Sequence, residues 1–170
     1  MKTLSDFLIP DIICDTVRQV PFASFVEKGV RVIAFDIDNT LVPYDVPSAD
    51  KELQDFLFSL KNLGVKIAFV SNNTPQRVSL FNEPFGFFTV PDAHKPLRSA
   101  LKPVITHFGV KPKEVLLVGD QLLTDVLSAR IWGAFAATVL PIKKVESRFF
   151  RFKRKLEKPF VKKYYKRQGK

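Results

Sequence analysis

Apolar residues along the chain fall into two patterns that alternate. Short unbroken runs lie at 30–35, 66–71, 87–90, 114–118 and 134–139, mostly bounded by Gly, Pro or Asp. Runs of that length and composition predict buried parallel strands. Between them apolar residues recur at three- and four-residue spacing. Leu53, Phe56, Leu57 and Leu60 share one helical face, predicting a helix from about Lys51 to Leu63. Ser48 or Asp50 is its expected N-cap and Gly64 its end. Further helices are predicted from about Leu97 to Phe108, before Gly109, and from about Leu122 to Trp132, before Gly133. Ser71-Asn72-Asn73 reads as a cap for another helix near Pro75. Strands alternating with helices imply right-handed crossovers, hence an α/β fold with a Rossmann-like, doubly wound parallel sheet.

The flanks break this rhythm. Residues 1–29 read as a helical lead-in interrupted by Pro10 and Pro21, with Leu4, Phe7, Leu8, Ile12, Ile13 and Val17 packing it on the body. Residues 30–142 form the expected core and 143–170 a basic amphipathic tail. In that tail Phe149, Phe152, Leu156, Phe160 and Tyr164 make an apolar stripe, and Pro159 predicts a kink or two shorter helices. A chain of 170 residues, 46% of them apolar, suits one domain with a substantial core. No apolar run approaches the length of a bilayer. Asp6, Asp11 and Asp15 interrupt the start, so a cytoplasmic, unprocessed chain is expected, with peripheral contact at the membrane inner face as an option. The lone Cys14 excludes an internal disulfide and reads as a small apolar residue.

Charge is distributed unevenly. Residues 143–170 hold 13 Lys/Arg and 2 acids, a net of +11, while the remainder holds 14 basic and 15 acidic residues, a net of −1; together they give the +10 of the chain. The body is near neutral and one terminal segment is strongly basic. Such a segment suits an anionic surface, either membrane or nucleic acid, or packs on the body with a solvated basic face.

Ligands of doubly wound sheets bind at the C-terminal ends of the strands. Asp36 and Asp38 end the first predicted strand, Ser71 the second, and Gly119-Asp120 follow the fourth. Alternating Cβ directions put Asp36 and Asp38 on one side of an extended backbone. Carboxylates that close require a cation, or a proton on one of them. One as nucleophile and one as acid/base is a standard way to cleave a phosphoester.

The ordered set Asp36-Ile37-Asp38-Asn39-Thr40, then Ser71, then Lys95, then Gly119-Asp120 with Thr124-Asp125 resembles the haloacid dehalogenase (HAD) superfamily of phosphohydrolases. The Leu8-Ile9-Pro10-Asp11 start, the Asp36–Val42 block and Gly119-Asp120-Gln121 are similar to the YqeG-type branch of subclass IIIA, itself similar to phosphatidylglycerophosphate phosphatases. The resemblance implies Asp36 as nucleophile and Asp38 as acid and then base. It implies Mg²⁺ held by the Asp36 and Asp120 carboxylates and the Asp38 main-chain carbonyl. A hard cation with oxygen ligands also fits a chain without a His/Cys cluster better than Zn²⁺ does. Thr40, Ser71, Asn72 and Lys95 are the implied phosphate-binding residues, and Asp125 orients the metal shell or Lys95.

Many members of that superfamily insert a cap domain. Here the segments 43–65 and 74–94 are too short to hold one. An open site suits a large or surface-held substrate, and phosphatidylglycerophosphate is the lead expectation. A soluble phosphate monoester is the alternative within the same chemistry. An RNA- or ribosome-associated scaffold using the basic tail is the alternative outside it.

Overall fold

A computed structural model describes residues 7–143 and 148–169. The chain runs β1 (Ile12–Cys14), α1 (Phe22–Glu27), β2 (Val32–Phe35), α2 (Lys51–Leu60), β3 (Lys66–Val70), α3 (Pro75–Asn82), β4 (Phe88–Val90), α4 (Lys102–Phe108), β5 (Val115–Gly119), α5 (Leu127–Trp132), β6 (Phe135–Val139) and α6 (Arg148–Arg167). The strands form one sheet in the order β1-β6-β5-β2-β3-β4, and every pairing is parallel.

The unbroken apolar runs are explained by burial on both sides. Ile33, Phe35, Ile67, Phe69, Leu116 and Val118 face a core closed by Phe22 and Phe25 of α1, Leu53 and Leu57 of α2, and Val78 and Phe81 of α3. The intervening Val32, Ala34, Ala68, Val70, Val115 and Leu117 face a second core with Val104 of α4 and Ala129 of α5. Period-two alternation thus feeds two apolar faces, as a sheet covered by helices on both sides requires.

Five strands fall where the sequence predicts them. β1 is the exception, a sixth strand inside the segment expected to be a helical lead-in. It is only three residues long, half-buried and at the sheet edge, so it carries little periodic signal. Its pairing with β6 is extended by Asp11, whose N–H donates to the Ala136 carbonyl (2.8 Å) and whose carboxylate accepts the Ala136 N–H (2.8 Å). Leu8 is buried as the lead-in reading expects, and Leu4 lies outside the described residues.

Caps set the helix limits. Asp50 accepts the Leu53 N–H (2.8 Å) at the start of α2, and Gly64, at a φ of 78°, closes the 3₁₀ turn after it. Thr74, rather than Ser71-Asn72-Asn73, caps α3. The helix expected from Leu97 begins as a 3₁₀ turn, Arg98–Ala100, and becomes α-helical at Lys102, where Pro103 sits in the first turn. The helix expected from Leu122 opens with a π-helical stretch, Leu122–Val126. α6 is a single element with Pro159 inside it. Proline leaves the carbonyl of Lys155 without its intrahelical donor, and Lys155 is solvent-exposed, so water can take that place. Among the described residues, no helix is long and apolar enough to cross a membrane.

Candidate active site

Because every strand is parallel, β2, β3 and β5 end on one rim. Asp36 follows β2, Ser71 follows β3 and Asp120 follows β5. The chain reverses directly after Asp38. Asn39 takes the left-handed φ of 65° that Asn tolerates better than most side chains, and its N–H donates to the Val42 carbonyl (2.7 Å). That turn folds Thr40 back beneath Asp36.

Two ion clusters result. In the deeper one Lys95 Nζ donates to Asp36 Oδ1 (2.6 Å) and Asp125 Oδ1 (2.7 Å), while Thr40 Oγ1 donates to Asp36 Oδ2 (3.0 Å). Lys95 is held at its backbone by Asn72, whose Oδ1 accepts the Lys95 N–H (2.7 Å) and whose Nδ2 donates to the Lys95 carbonyl (3.1 Å). Asp125 Oδ2 accepts the Gln121 N–H (3.1 Å). A Cβ added to Gly119 would overlap the Asp125 carboxyl, so this position has room for glycine alone.

In the shallower cluster Asp38 Oδ1 accepts from Arg77 Nη2 (2.9 Å) and Oδ2 from Asn73 Nδ2 (3.0 Å). Arg77 also donates to the carbonyls of Val46 (2.8 Å) and Pro47 (2.7 Å). The Asp38 carboxylate is thereby tied to the loop that follows it. Ser71 Oγ accepts the Asn73 N–H (3.1 Å) and shapes the turn that delivers Asn73.

Carboxylate oxygens of Asp36, Asp120 and Asp125 approach within 4.8 Å of one another, all three buried. Burial pushes the Asp36 carboxyl up to about 7; Lys95 opposes the rise, and Asp125 and Asp120 add to it. Burial alone would lower the Lys95 ammonium, but Asp125 and Asp36 outweigh it and hold the pKa above the ordinary lysine value. Three carboxylates against one ammonium leave a net charge of −2, which a divalent cation balances. An all-oxygen donor set suits a hard ion such as Mg²⁺. The donors therefore fit that ion, which Asp36, Asp120 and Asp125 could hold between them, Lys95 sharing the Asp36 and Asp125 carboxylates.

Asp36, Asp38, Ser71, Asn72, Asn73 and Lys95 line one cavity of about 100 Å³, with Tyr44, Gln121, Thr124 and Lys153. Of the residues singled out in the sequence, Thr40 gives its hydroxyl to Asp36 and Asn72 its amide to the Lys95 backbone. Both thus position other groups. Sequence reasoning missed Arg77, Tyr44 and Lys153. Arg77 carries no motif signal, since its partner Asp38 lies 39 residues away. Lys153 sits among many basic residues of the tail, and nothing local distinguishes it.

The tail itself splits. Phe160 and Val161 pack against the second core, and the buried Tyr164 hydroxyl accepts the Ile13 N–H (3.2 Å). Phe152 and Leu156 of the same stripe are 59% and 47% exposed, and the Phe149 side chain lies outside the described residues. Packing on the body therefore holds for the C-terminal half of α6.

The sheet and its rim define a Rossmann-like α/β fold with a buried acidic cluster at the C-terminal ends of its strands. Residues 44–133 match the haloacid dehalogenase-like hydrolases. A "Probable phosphatase YqeG" of Bacillus subtilis is 34% identical over 91% of this chain and 90% of its own length. The chloroplastic/mitochondrial phosphatidylglycerophosphate phosphatase 1 of Arabidopsis thaliana is 24% identical over 93% of this chain, which spans 48% of that protein. Among solved structures, a predicted HAD-like family hydrolase from Porphyromonas gingivalis superposes with a TM-score of 0.52 at 14% identity, covering 73% of this chain and 98% of that one. The chain belongs to the haloacid dehalogenase-like hydrolase family.

Proposed function

We propose that this hydrolase is a Mg²⁺-dependent phosphomonoester phosphatase working through an aspartyl-phosphate on Asp36. The observation that carries the reading is the pair of carboxylates at the end of β2, lining one cavity but bound to different partners. Asp36, oriented by Lys95 and Thr40, attacks phosphorus in line. The bond to the leaving oxygen breaks, and Asp38 delivers a proton to that oxygen. Asp38 then takes a proton from water, the water oxygen attacks phosphorus, and the Asp36 carboxylate is released with inorganic phosphate. Lys95 and the Ser71 turn face the phosphoryl oxygens. Bound Mg²⁺ supplies positive charge to the oxygens of the phosphoryl group as its negative charge redistributes. Uncatalysed hydrolysis is so slow that barrier lowering above about 20 kcal/mol is needed, and no single group supplies that.

The lead substrate is phosphatidylglycerophosphate, supported by the similarity to a protein of that printed activity. A mostly apolar cavity of about 310 Å³ beside Asp120, walled by Ile13, Leu122, Val139, Val161 and Tyr165, suits an amphiphile. The exposed Phe152 and Leu156 on a basic helix suit an anionic membrane surface. The test is phosphate release from phosphatidylglycerophosphate in mixed micelles and from a soluble aryl phosphate, each with Mg²⁺ or EDTA. Mg²⁺-dependent release from the lipid supports both parts. Release from the soluble ester alone keeps the phosphatase and removes the lipid. Release from neither removes the proposal.

A further inference from the structure

The apolar cavity beside Asp120 differs in chemistry from the cavity of the two aspartates. Its volume of about 310 Å³ is at the low end of the roughly 300–1,000 Å³ typical of small-molecule sites. Thr138 of β6 lines it, paired with Ile13 of β1 on one side and Gly119 of β5 on the other. Leu122, Val139, Val161 and Tyr165 give it mostly apolar walls. Asp120 lines it too and also belongs to the acidic cluster, so the cavity abuts the candidate metal site.

Two observations say what fills it. The first is a hydroxyl. Thr138 is 6% exposed, and its Oγ1 has no hydrogen-bond partner among the described residues. A buried hydroxyl left unpaired in apolar surroundings costs free energy unless a ligand pairs with it. A plain hydrocarbon would leave that cost in place, whereas the carbonyl oxygen of an acyl ester accepts a hydrogen bond from the hydroxyl. The second observation is charge. Lys158 and Lys162 are exposed and stand four residues apart on α6 at the cavity lip, with the exposed Leu140 and Tyr165 lining the same cavity. The carboxylates that line it, Asp120 and Glu157, are instead buried. An apolar and cationic lip over an apolar interior complements the headgroup region of an anionic lipid layer. Lys158 and Lys162 follow Lys153, which lines the cavity of the two aspartates, by five and nine residues, about 8 and 14 Å along the axis of α6. A substrate that reaches from one cavity to the other therefore carries a polar linker of about that span between its phosphate and its chain.

We infer, on the phosphatase reading above, that this cavity is a chain subsite. It takes one acyl chain of an anionic acylglycerol phosphate, Thr138 donates to the acyl ester, and Lys158 and Lys162 meet the anionic linker. The rest of the lipid stays in the bilayer, so the substrate is read at the surface without being extracted whole. Chain-bearing esters are thereby selected over their chainless headgroups by a site separate from the one that cleaves phosphate.

The test is calorimetric titration of the full chain with single-chain lysophosphatidylglycerol, which has an acyl ester and a linker anion but no phosphomonoester to hydrolyse. The decanoyl form should bind at least about tenfold more tightly than the hexanoyl form, since its longer chain fills more of the cavity. Val161→Trp, which fills the cavity, should abolish that difference while kcat on a soluble aryl phosphate stays at the wild-type value. Lys158→Glu combined with Lys162→Glu, both on the solvent face, should weaken decanoyl binding about tenfold and leave binding of decyltrimethylammonium, a cationic chain, no weaker. Thr138→Val should weaken decanoyl binding about three- to tenfold without lowering the thermal midpoint, because the hydroxyl has no partner among the described residues to lose. Equal binding of the two chain lengths, or a chain-length effect that survives Val161→Trp in a protein still turning over the aryl phosphate, would overturn the subsite and leave the phosphatase reading intact. Chain-length-dependent binding by a wild type that releases phosphate from no ester would keep the cavity as an acyl-lipid site and overturn its reading as part of a phosphatase.

Discussion

The two ion clusters at the end of β2 start from carboxylates two residues apart, just past the strand, yet they differ in kind. Around Asp36 every partner is a buried side chain: Lys95, from the loop after β4, and Asp125, from the π-helical stretch after β5, are each 2% exposed at the side chain. Around Asp38 the main partner, Arg77, is 14% exposed at its side chain and grips loop carbonyls as well as the carboxylate. The first cluster is a fixed electrostatic frame, where each ion depends on the others for solvation. The second is a tether at the border with solvent, where water can replace a lost contact. Dissimilar surroundings for two nearby carboxylates are what a nucleophile and a proton carrier require.

The comparison breaks most severely at its centre. Asp36→Asn should lower kcat at least about 10⁴-fold, read as phosphate release, while the circular dichroism spectrum stays native. Full residual activity would remove the covalent step. Lys95→Met leaves Asp36 and Asp125 buried without their counter-ion. It should cost about 3–5 kcal/mol in denaturant unfolding, far more than loss of an exposed lysine. A difference below about 1 kcal/mol would show that the frame is solvated after all.

Gly119→Ala tests the frame indirectly. The added methyl displaces the Asp125 carboxyl, so stability should fall by about 1–3 kcal/mol and Mg²⁺-dependent turnover should fall with it. Arg77→Lys sharpens the contrast from the other side. It keeps the charge but cannot reach Asp38, Val46 and Pro47 together, so kcat should fall about tenfold with less than about 1 kcal/mol lost in stability. The smallest effect lies far from the rim. Glu114 is held below the ordinary glutamate pKa by the Lys111 N–H, with Arg31 adding to the effect. A lowered folded-state value stabilises above the unfolded pKa, and the gain disappears as pH falls through the folded value. Glu114→Gln should therefore unfold slightly earlier than wild type at pH 7, and the two should converge in acid.

The deeper cluster was legible in the sequence, and the shallower one only in part. Lys95 and Asp125 stand out only through the resemblance to a known family, whereas Asp36 and Asp120 sit at the ends of apolar strand-like runs, and strand ends of a parallel sheet must converge. Their order along the chain therefore carries spatial information. Asp38 was visible for the same reason, but its partner was not. Arg77 projects from the first turn of α3, and helix surfaces are rich in arginine that does nothing comparable. The cap of that helix was misassigned for a related reason. Ser71, Asn73 and Thr74 are all competent caps, and tertiary demand decides among them. Ser71 serves the turn and Asn73 reaches Asp38, which leaves Thr74 for α3. β1 escaped because three half-buried residues have no period to detect. The basic tail hid its own division, since spacing alone cannot say which half of an apolar stripe meets the core.

The placement of β1 bears on how the molecule is made. It pairs with β6 at one edge of the sheet, and the contact between Asp11 and Ala136 closes a span of 125 residues. The segment beside it is also clasped by Tyr164, 151 residues from Ile13. On a ribosome the first strand must wait, unpaired, until nearly the whole chain has emerged. The central strands can assemble meanwhile around β2, β3 and β5. The edge is therefore the last part of the sheet to close, and the helix that fastens it is the same one that carries Lys153 to the rim. Closure of the sheet edge and delivery of α6 to the cavity therefore fall to the same late-arriving segment.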